Sequence, residues 1–344
     1  MGFLLRLLAR LPFAAIIIAI IFEAAGAYLA GGEVTQTIRS GIVDSEVMAD
    51  TPHLLVYGMM ASLLAAGIWL VVASAFGWPV STTHSIVGAV IGFAAVGVSM
   101  DAVNWAGVGP IVASWVVSPV LSGIVAFGLF VSVQRLIIDT DEPFLNAKRF
   151  VPLYMFATGF MVSIMTLTKG LKHIGLDLSS TEGFMLSLGV GALVMLLGIA
   201  LLSRIKIDVE ADKDFHYASV EKVFAVLMIF TACAMAFAHG SNDVANAIGP
   251  LSAVVSTVES AGQITGNSHI AWWILPLGGI GIVIGLATMG EKVMATVGTG
   301  ITHLTPSRGF AAQLATAATL VIASGTGLPI STTQTLVGAV MGVG

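Results

Sequence analysis

One stretch of this chain is written twice. Gly77-Trp78-Pro79-Val80-Ser81-Thr82-Thr83-His84 returns far downstream as Gly327-Leu328-Pro329-Ile330-Ser331-Thr332-Thr333-Gln334, and each copy runs on into Val-Gly-Ala-Val, at Val87–Val90 and Val337–Val340. The match reaches upstream in register: Ala61, Leu64, Ala65, Leu70, Val71, Ala73 and Ser74 return as Ala311, Leu314, Ala315, Leu320, Val321, Ala323 and Ser324. A second echo pairs Gly26, Gly31, Val34, Thr37, Gly41 and Ile42 with Gly285, Gly290, Val293, Thr296, Gly300 and Ile301. A polar Pro-x-Ser-Thr-Thr, repeated inside very apolar sequence, predicts a duplicated membrane protein with a polar site where its halves join. Many secondary transporters are built so.

Composition supports the membrane half of that statement. Hydrophobic residues make up 57% of the chain and charged residues 10%, and mean hydropathy is +0.98. Ordinary soluble domains carry roughly 25% charge, so this chain lacks the polar residues to cover a water-facing surface and belongs in a lipid bilayer. The single cysteine, Cys233, excludes a disulfide framework and reads as a packing residue. A formal charge of −5 gives no support to a nucleic-acid partner. Arg6 and Arg10 ahead of Pro12–Phe22, followed by Ala24-Ala25-Gly26-Ala27, imitate a cleavable leader. In a chain this apolar they read as a retained first helix.

A helix crosses the bilayer in ~20 residues. Stretches of that kind are expected near Leu11–Ala30, Leu54–Phe76, Val108–Val133, Val151–Leu167, Phe184–Leu202, Val220–Ala238, Ile270–Thr288 and Phe310–Ala323. Ser85–Val98 is too short for an ordinary span. It reads as one arm of a re-entrant hairpin or a half-helix, tolerated only where protein or a wet cavity surrounds the backbone. Pro110 and Pro119 are expected to break the span that follows. Two polar connections stand out, Gln134–Arg149 and Arg204–Lys222. The second is the expected linker, which divides the chain into a first half at 1–203, a polar linker at 204–219 and a second half at 220–344. The two connections hold Arg135, Lys148, Arg149, Arg204, Lys206, Lys213 and Lys222, whereas the loop between them offers Lys169 and Lys172. Positive residues gather on the cytoplasmic side, so both connections are expected there.

The third polar feature is Ala238-His239-Gly240-Ser241-Asn242-Asp243-Val244-Ala245-Asn246-Ala247, followed by Gly249-Pro250. An Asp inside a bilayer costs ~2.5–3.5 kcal/mol on insertion scales, so Asp243 should face a partner or a watery cavity. On a helix, Asn242 and Asn246 are four apart and Asp243 and Asn246 three apart, which puts the three on one face. Gly240 before them and Gly249-Pro250 after them permit breaks in that helix. Carboxylate and amide oxygens suit a small hard cation, while amide nitrogens can donate to an oxyanion. The plainer alternative is polar glue between packed helices.

Pro-x-Ser-Thr-Thr has its own logic. The residue before proline is pushed out of helical geometry, and a Ser or Thr after it can cap a new helix. A helix start presents free N–H groups and partial positive charge, an anion site in waiting. Two such starts facing each other could grip a tetrahedral oxyanion almost entirely with neutral groups. A single copy would be ordinary capping. No soluble catalytic pattern accompanies it: His84, His239, His269 and His303 lack metal-ligand spacing, and no Gly-rich nucleotide loop is present. The chain is therefore not read as an enzyme.

At these residues the chain resembles the inorganic phosphate transporter (PiT) family, whose hallmarks are Gly-x-Asn-Asp-x-x-Asn-Ala and Gly-x-Pro-x-Ser-Thr-Thr-His, one of each per inverted half. The first stands at Gly240–Ala247 and the second begins at Gly77 and again at Gly327. The resemblance covers nearly the whole chain, including Ile21-Phe22-Glu23, Gly31-Gly32 and Thr37-Ile38-Arg39. It implies phosphate held by Ser81, Thr82, Thr83, Ser331, Thr332 and Thr333 with Asp243. It also implies a coupling sodium bound by Asn242, Asp243 and Asn246, and roles in or near transport for Glu23 and His239. The chain departs from the family in carrying only the second Asn-Asp motif and in stopping at Gly344, so both ends read as cut. Gln334 stands where the motif has His, and Gln313 where some members carry Glu; Gln313 favours sodium over proton coupling.

The expectation is an all-α, polytopic, inverted-repeat secondary transporter with broken or re-entrant helices, in the inner (plasma) membrane. It would import inorganic phosphate with sodium or protons by alternating access, with breaks near Pro79, Gly240 and Pro329 as pivots. No cofactor beyond the coupling ion is called for, and a homodimer is left open. Sulfate or another tetrahedral oxyanion on the same fold is the nearest rival. A non-transporting truncated membrane protein is the rival from another class. An intramembrane hydrolase lacks a matched second catalytic group and leaves the duplication unexplained.

Overall fold

A computed structural model describes residues 2–44, 46–168, 178–207, 217–264, 270–300 and 304–344. With no water in a bilayer core to take up free peptide groups, an apolar chain satisfies its backbone internally, and this one does so as helices. They are α1 (Gly2–Ala30), α2 (Gly32–Ser40), α3 (Pro52–Ala75), α4 (Thr82–Gly97), α5 (Trp105–Val133) with a π-helical turn at Gln134–Ile138, and α6 (Pro143–Thr168). The series continues with α7 (Ser180–Leu202), α8 (Ala218–Glu259), α9 (Ile274–Gly300), α10 (Pro306–Gly325) and α11 (Thr332–Val343). Among the described residues no strand forms; Val43 and Val103 make an isolated bridge. Among the described residues five helices are long and apolar enough to cross a membrane, or six when α1 and α2, bent by 64° at their junction, count as one. The fold is the expected all-α polytopic one. Lys169, Lys172, His269, His303 and residues 208–216 of the expected linker, Lys213 among them, lie outside the described residues.

Breaks expected in two helices do not occur. α5 runs unbroken through Pro110 and Pro119, and α8 through Gly240 and Pro250. A proline removes one helix hydrogen bond and crowds the preceding turn. Unwinding in an apolar medium would free several peptide groups, each costing more than that single bond. Gly240 is helical for a different reason. A Cβ there would lie 2.1 Å from the Glu23 carbonyl oxygen, and one at Gly26 would lie 2.0 Å from that of Phe237. The backbones of α1 and α8 touch at this crossing, so Gly240 serves close packing and the helix is unbroken there.

The chain forms two compact units. The first comprises Met1–Trp115, Ala236–Val297 and Ala323–Thr333. Its main core gathers Val34, Ile38 and Ile42 from α2, Leu55 and Met59 from α3, Ile86, Val87, Val90 and Ala94 from α4, Ile111 from α5, and Ala245 and Ala253 from α8. The second comprises Val116–Met235, Gly298–Ile322 and Gln334–Gly344. In it Phe224 stacks on Phe310 with ring centroids 5.4 Å apart, and Tyr154 shares a 2.6 Å hydrogen bond with Ser132. Glu221 accepts from the amide (2.8 Å) and hydroxyl (2.6 Å) of Ser307, satisfying the start of α10 from a neighbouring helix. Gly338 lets α11 approach α5 so closely that a Cβ would lie 2.2 Å from the Pro119 carbonyl oxygen. That contact covers the backbone around one of the two prolines in α5.

Candidate functional site

The two copies of the motif fold alike. α3 and α10 end in glycines with positive φ, 70° at Gly77 and 71° at Gly327, a region that costs a residue without Cβ little. Each end closes with the same pair of bonds. Gly77 N donates to Ser74 O (3.0 Å) and Trp78 N to Ala73 O (2.9 Å); Gly327 N donates to Ser324 O (3.0 Å) and Leu328 N to Ala323 O (2.9 Å). This is the Schellman stop. Pro79 and Pro329 follow, where no helix can continue, and α4 and α11 begin a few residues on. Ser81 caps α4 by accepting from His84 N at 3.1 Å, which leaves its own proton for another acceptor. Ser331 is fully buried immediately before α11. The expected breaks at Pro79 and Pro329 are therefore real.

The two tips meet. Thr83 Oγ1 donates to Ile330 O at 3.0 Å, and Thr333 Oγ1 donates to Val80 O at 3.1 Å. Val80 and Ile330 hold the same place in the two copies, so each tip braces the other by the same bond.

Against the tips lies one face of α8. Asp243, only 9% exposed, receives two hydroxyls on one oxygen: Thr82 Oγ1 at 2.6 Å and Thr332 Oγ1 at 3.2 Å from Oδ2. Asn246 Nδ2 donates to Thr82 Oγ1 (3.2 Å) and Thr83 Oγ1 (3.3 Å), and Asn242 Nδ2 donates to Ser324 Oγ (3.2 Å). With each amide nitrogen held, each amide oxygen is turned away from those hydroxyls. Asn242 Oδ1, Asp243 Oδ1 and Asn246 Oδ1 are all buried with no hydrogen-bond partner. Pro250 has no N–H, so the Asn246 carbonyl lacks the helix bond it would otherwise accept. A buried acceptor left unpaired costs about 1–3 kcal/mol, and hard oxygens of this kind fit a small cation. Glu23 and His239 complete the cluster. His239 Nδ1 is 3.1 Å from Glu23 Oε1, and Nε2 is 3.5 Å from Asp243 Oδ2, so the imidazole lies between two carboxylates.

Every expected site residue thus lies in the first unit, and the tips, Asp243, the two asparagines, Glu23 and His239 form one cluster. Ser324 belongs to that cluster and sequence reasoning did not single it out; its signal was its recurrence opposite Ser74 in the repeat. His84 packs against Trp115 with ring centroids 3.9 Å apart and the planes tilted by 39°, and Gln313 lies in the second unit, where its Oε1 accepts from Thr231 at 2.8 Å.

Apolar helices built around a buried cradle of hydroxyls and amides gathered on one carboxylate, with unpaired hard oxygens beside it, define a polytopic membrane transport protein. Within that class the chain belongs to the phosphate transporter family, whose profile matches residues 9–344. Over 330 residues it is 57% identical to a Haemophilus influenzae protein named "Putative phosphate permease", covering 96% of this chain and 78% of that one. A similarly named protein of Pyrococcus abyssi is 42% identical over 333 residues, covering 97% and 80%. A solved structure described as the sodium-dependent phosphate transporter superposes with a TM-score of 0.87 at 40% identity, covering 96% of this chain and 79% of that one.

Proposed function

We propose that this chain imports inorganic phosphate across the plasma membrane (the inner membrane of a bacterium) together with sodium ions, by alternating access. The observation that carries the proposal is the meeting of both motif copies on Asp243, with three unpaired oxygens on the same helix. A phosphate dianion must leave water, at a cost neutral groups alone do not cover. Helix starts and hydroxyls of Ser81, Thr82, Thr83, Ser331, Thr332 and Thr333 replace its hydration. Sodium bound through Asn242, Asp243 and Asn246 offsets its charge. No covalent step is required. Residues 1–203 and 220–344 are taken as the two halves, and the breaks at Pro79 and Pro329 as the pivots.

A proton is the second reading for the coupling ion. It is favoured by His239, which lies between Glu23 and Asp243 and could carry the charge that sodium would otherwise supply. Hydrogen phosphate can donate a proton to Asp243 and sulfate cannot, which favours phosphate as the substrate. Labelled phosphate uptake into proteoliposomes, under an imposed sodium gradient or an imposed pH gradient, decides the ion. Excess sulfate decides the substrate. Uptake driven by sodium and resistant to sulfate is expected; uptake driven by neither gradient would end the proposal.

A further inference from the structure

We infer that Ser324 is a positioning residue that joins the cation ligands of α8 to the second Ser-Thr-Thr tip and so sets the affinity for sodium. The inference rests on the sodium reading proposed above. Ser324 is fully buried in the last turn of α10 and acts at two places at once. Its Oγ accepts from Asn242 Nδ2 at 3.2 Å and lies 3.4 Å from Ser241 Oγ, whose one proton goes to Ala238 O at 2.8 Å. Its main-chain carbonyl accepts from Gly327 N at 3.0 Å, in the left-handed turn that leads into the second tip. One residue therefore holds an α8 amide by its side chain and the tip by its backbone.

An amide has two chemically opposite ends. With its nitrogen on Ser324, Asn242 turns its oxygen elsewhere, and that oxygen is buried and unpaired. Turned over, the same side chain would present an NH2 group to a cation and repel it. Ser324 selects the attractive orientation. The repeat partner Ser74 closes the end of α3 by the same backbone bond, Gly77 N to Ser74 O at 3.0 Å, and so provides an internal control for the turn alone.

The test uses the full chain in detergent, following thermal stabilisation as sodium replaces choline in the absence of phosphate, with phosphate half-saturation in liposomes as a second readout. For the wild-type protein we expect sodium to raise the melting temperature. Partners that orient a ligand typically change metal affinity by about tenfold or more, so Ser324→Ala should need about tenfold more sodium for the same shift. Ser74→Ala should match wild type, and phosphate half-saturation at saturating sodium should be unchanged in Ser324→Ala. A carboxylate offers oxygen at both ends, so in an Asn242→Asp background Ser324→Ala should produce no further loss. Equal loss in both backgrounds, or a wild-type sodium titration for Ser324→Ala, would overturn the role of Ser324 and leave the sodium reading standing. A wild-type protein that sodium does not stabilise would remove the sodium reading and this inference with it.

Discussion

Thr82 and Thr332, which hold the same place in the two copies of the motif, donate to the same oxygen of Asp243, at 2.6 and 3.2 Å. A carboxylate shared by two repeats ties the charge state of α8 to the geometry of both helix starts. Anything that draws on Asp243, such as a bound cation, also changes the pull on two hydroxyls that an oxyanion would use. On the sodium-coupled reading proposed here, coupling between cation and anion would need no long pathway, because Asp243 would touch both ligands' groups.

Asp243→Asn keeps the size of the side chain and removes its charge. A buried charge left without its partner costs ~3–5 kcal/mol, so sodium-stimulated phosphate uptake should fall by more than about a hundredfold while the protein still reaches the membrane. Uptake within twofold of wild type would take Asp243 out of the cation site.

Ser331→Ala combined with Thr332→Val removes two hydroxyls from the second tip and leaves the helix intact. Hydrogen bonds to a charged group contribute about 1.5–3 kcal/mol each, so phosphate half-saturation should rise at least tenfold with little loss of folded protein. If yield and affinity fall together, these hydroxyls serve packing.

Gly240→Ala and Gly88→Ala are the same substitution in opposite surroundings. A Cβ at residue 240 meets the Glu23 carbonyl oxygen at 2.1 Å, whereas one at residue 88 meets nothing within 4 Å. Overpacking of this kind costs ~1–3 kcal/mol, so Gly240→Ala should lower the melting temperature. Gly88→Ala should leave it unchanged or raise it slightly, since alanine favours helix over glycine. Equal melting temperatures would contradict the close crossing of α1 and α8.

Glu221→Ala strips the start of α10 of its acceptor and leaves the buried Ser307 amide unpaired. The cost is ~1–3 kcal/mol. The melting temperature should drop while sodium and phosphate half-saturation stay at wild-type values. A shift in either half-saturation would give Glu221 a part in transport that its geometry does not suggest.

Much of the site could be read from the chain because local rules governed it. Gly-x-Pro fixes a helix stop, Ser-Thr-Thr fixes a helix start, and repetition announces that the two starts serve one purpose. The face shared by Asn242, Asp243 and Asn246 followed from helical spacing alone. Gly240, Pro250, Pro110 and Pro119 misled because the local cost of a glycine or proline was outweighed by surroundings the sequence does not display. At Gly240 the deciding fact is the backbone of α1, more than two hundred residues earlier in the chain. Ser324 stood out only as the repeat partner of Ser74, for a related reason: its hydroxyl finds Asn242 only after α10 packs on α8.

Phosphate binding to the purified protein, measured in sodium and in choline, with Thr82→Val/Thr332→Val alongside wild type, tests most directly whether the twin motifs and Asp243 form one coupled site. Wild type should bind phosphate tightly only in sodium, and the double variant should bind it poorly in both. Wild-type binding by the double variant, or equal wild-type affinity in sodium and choline, would contradict it.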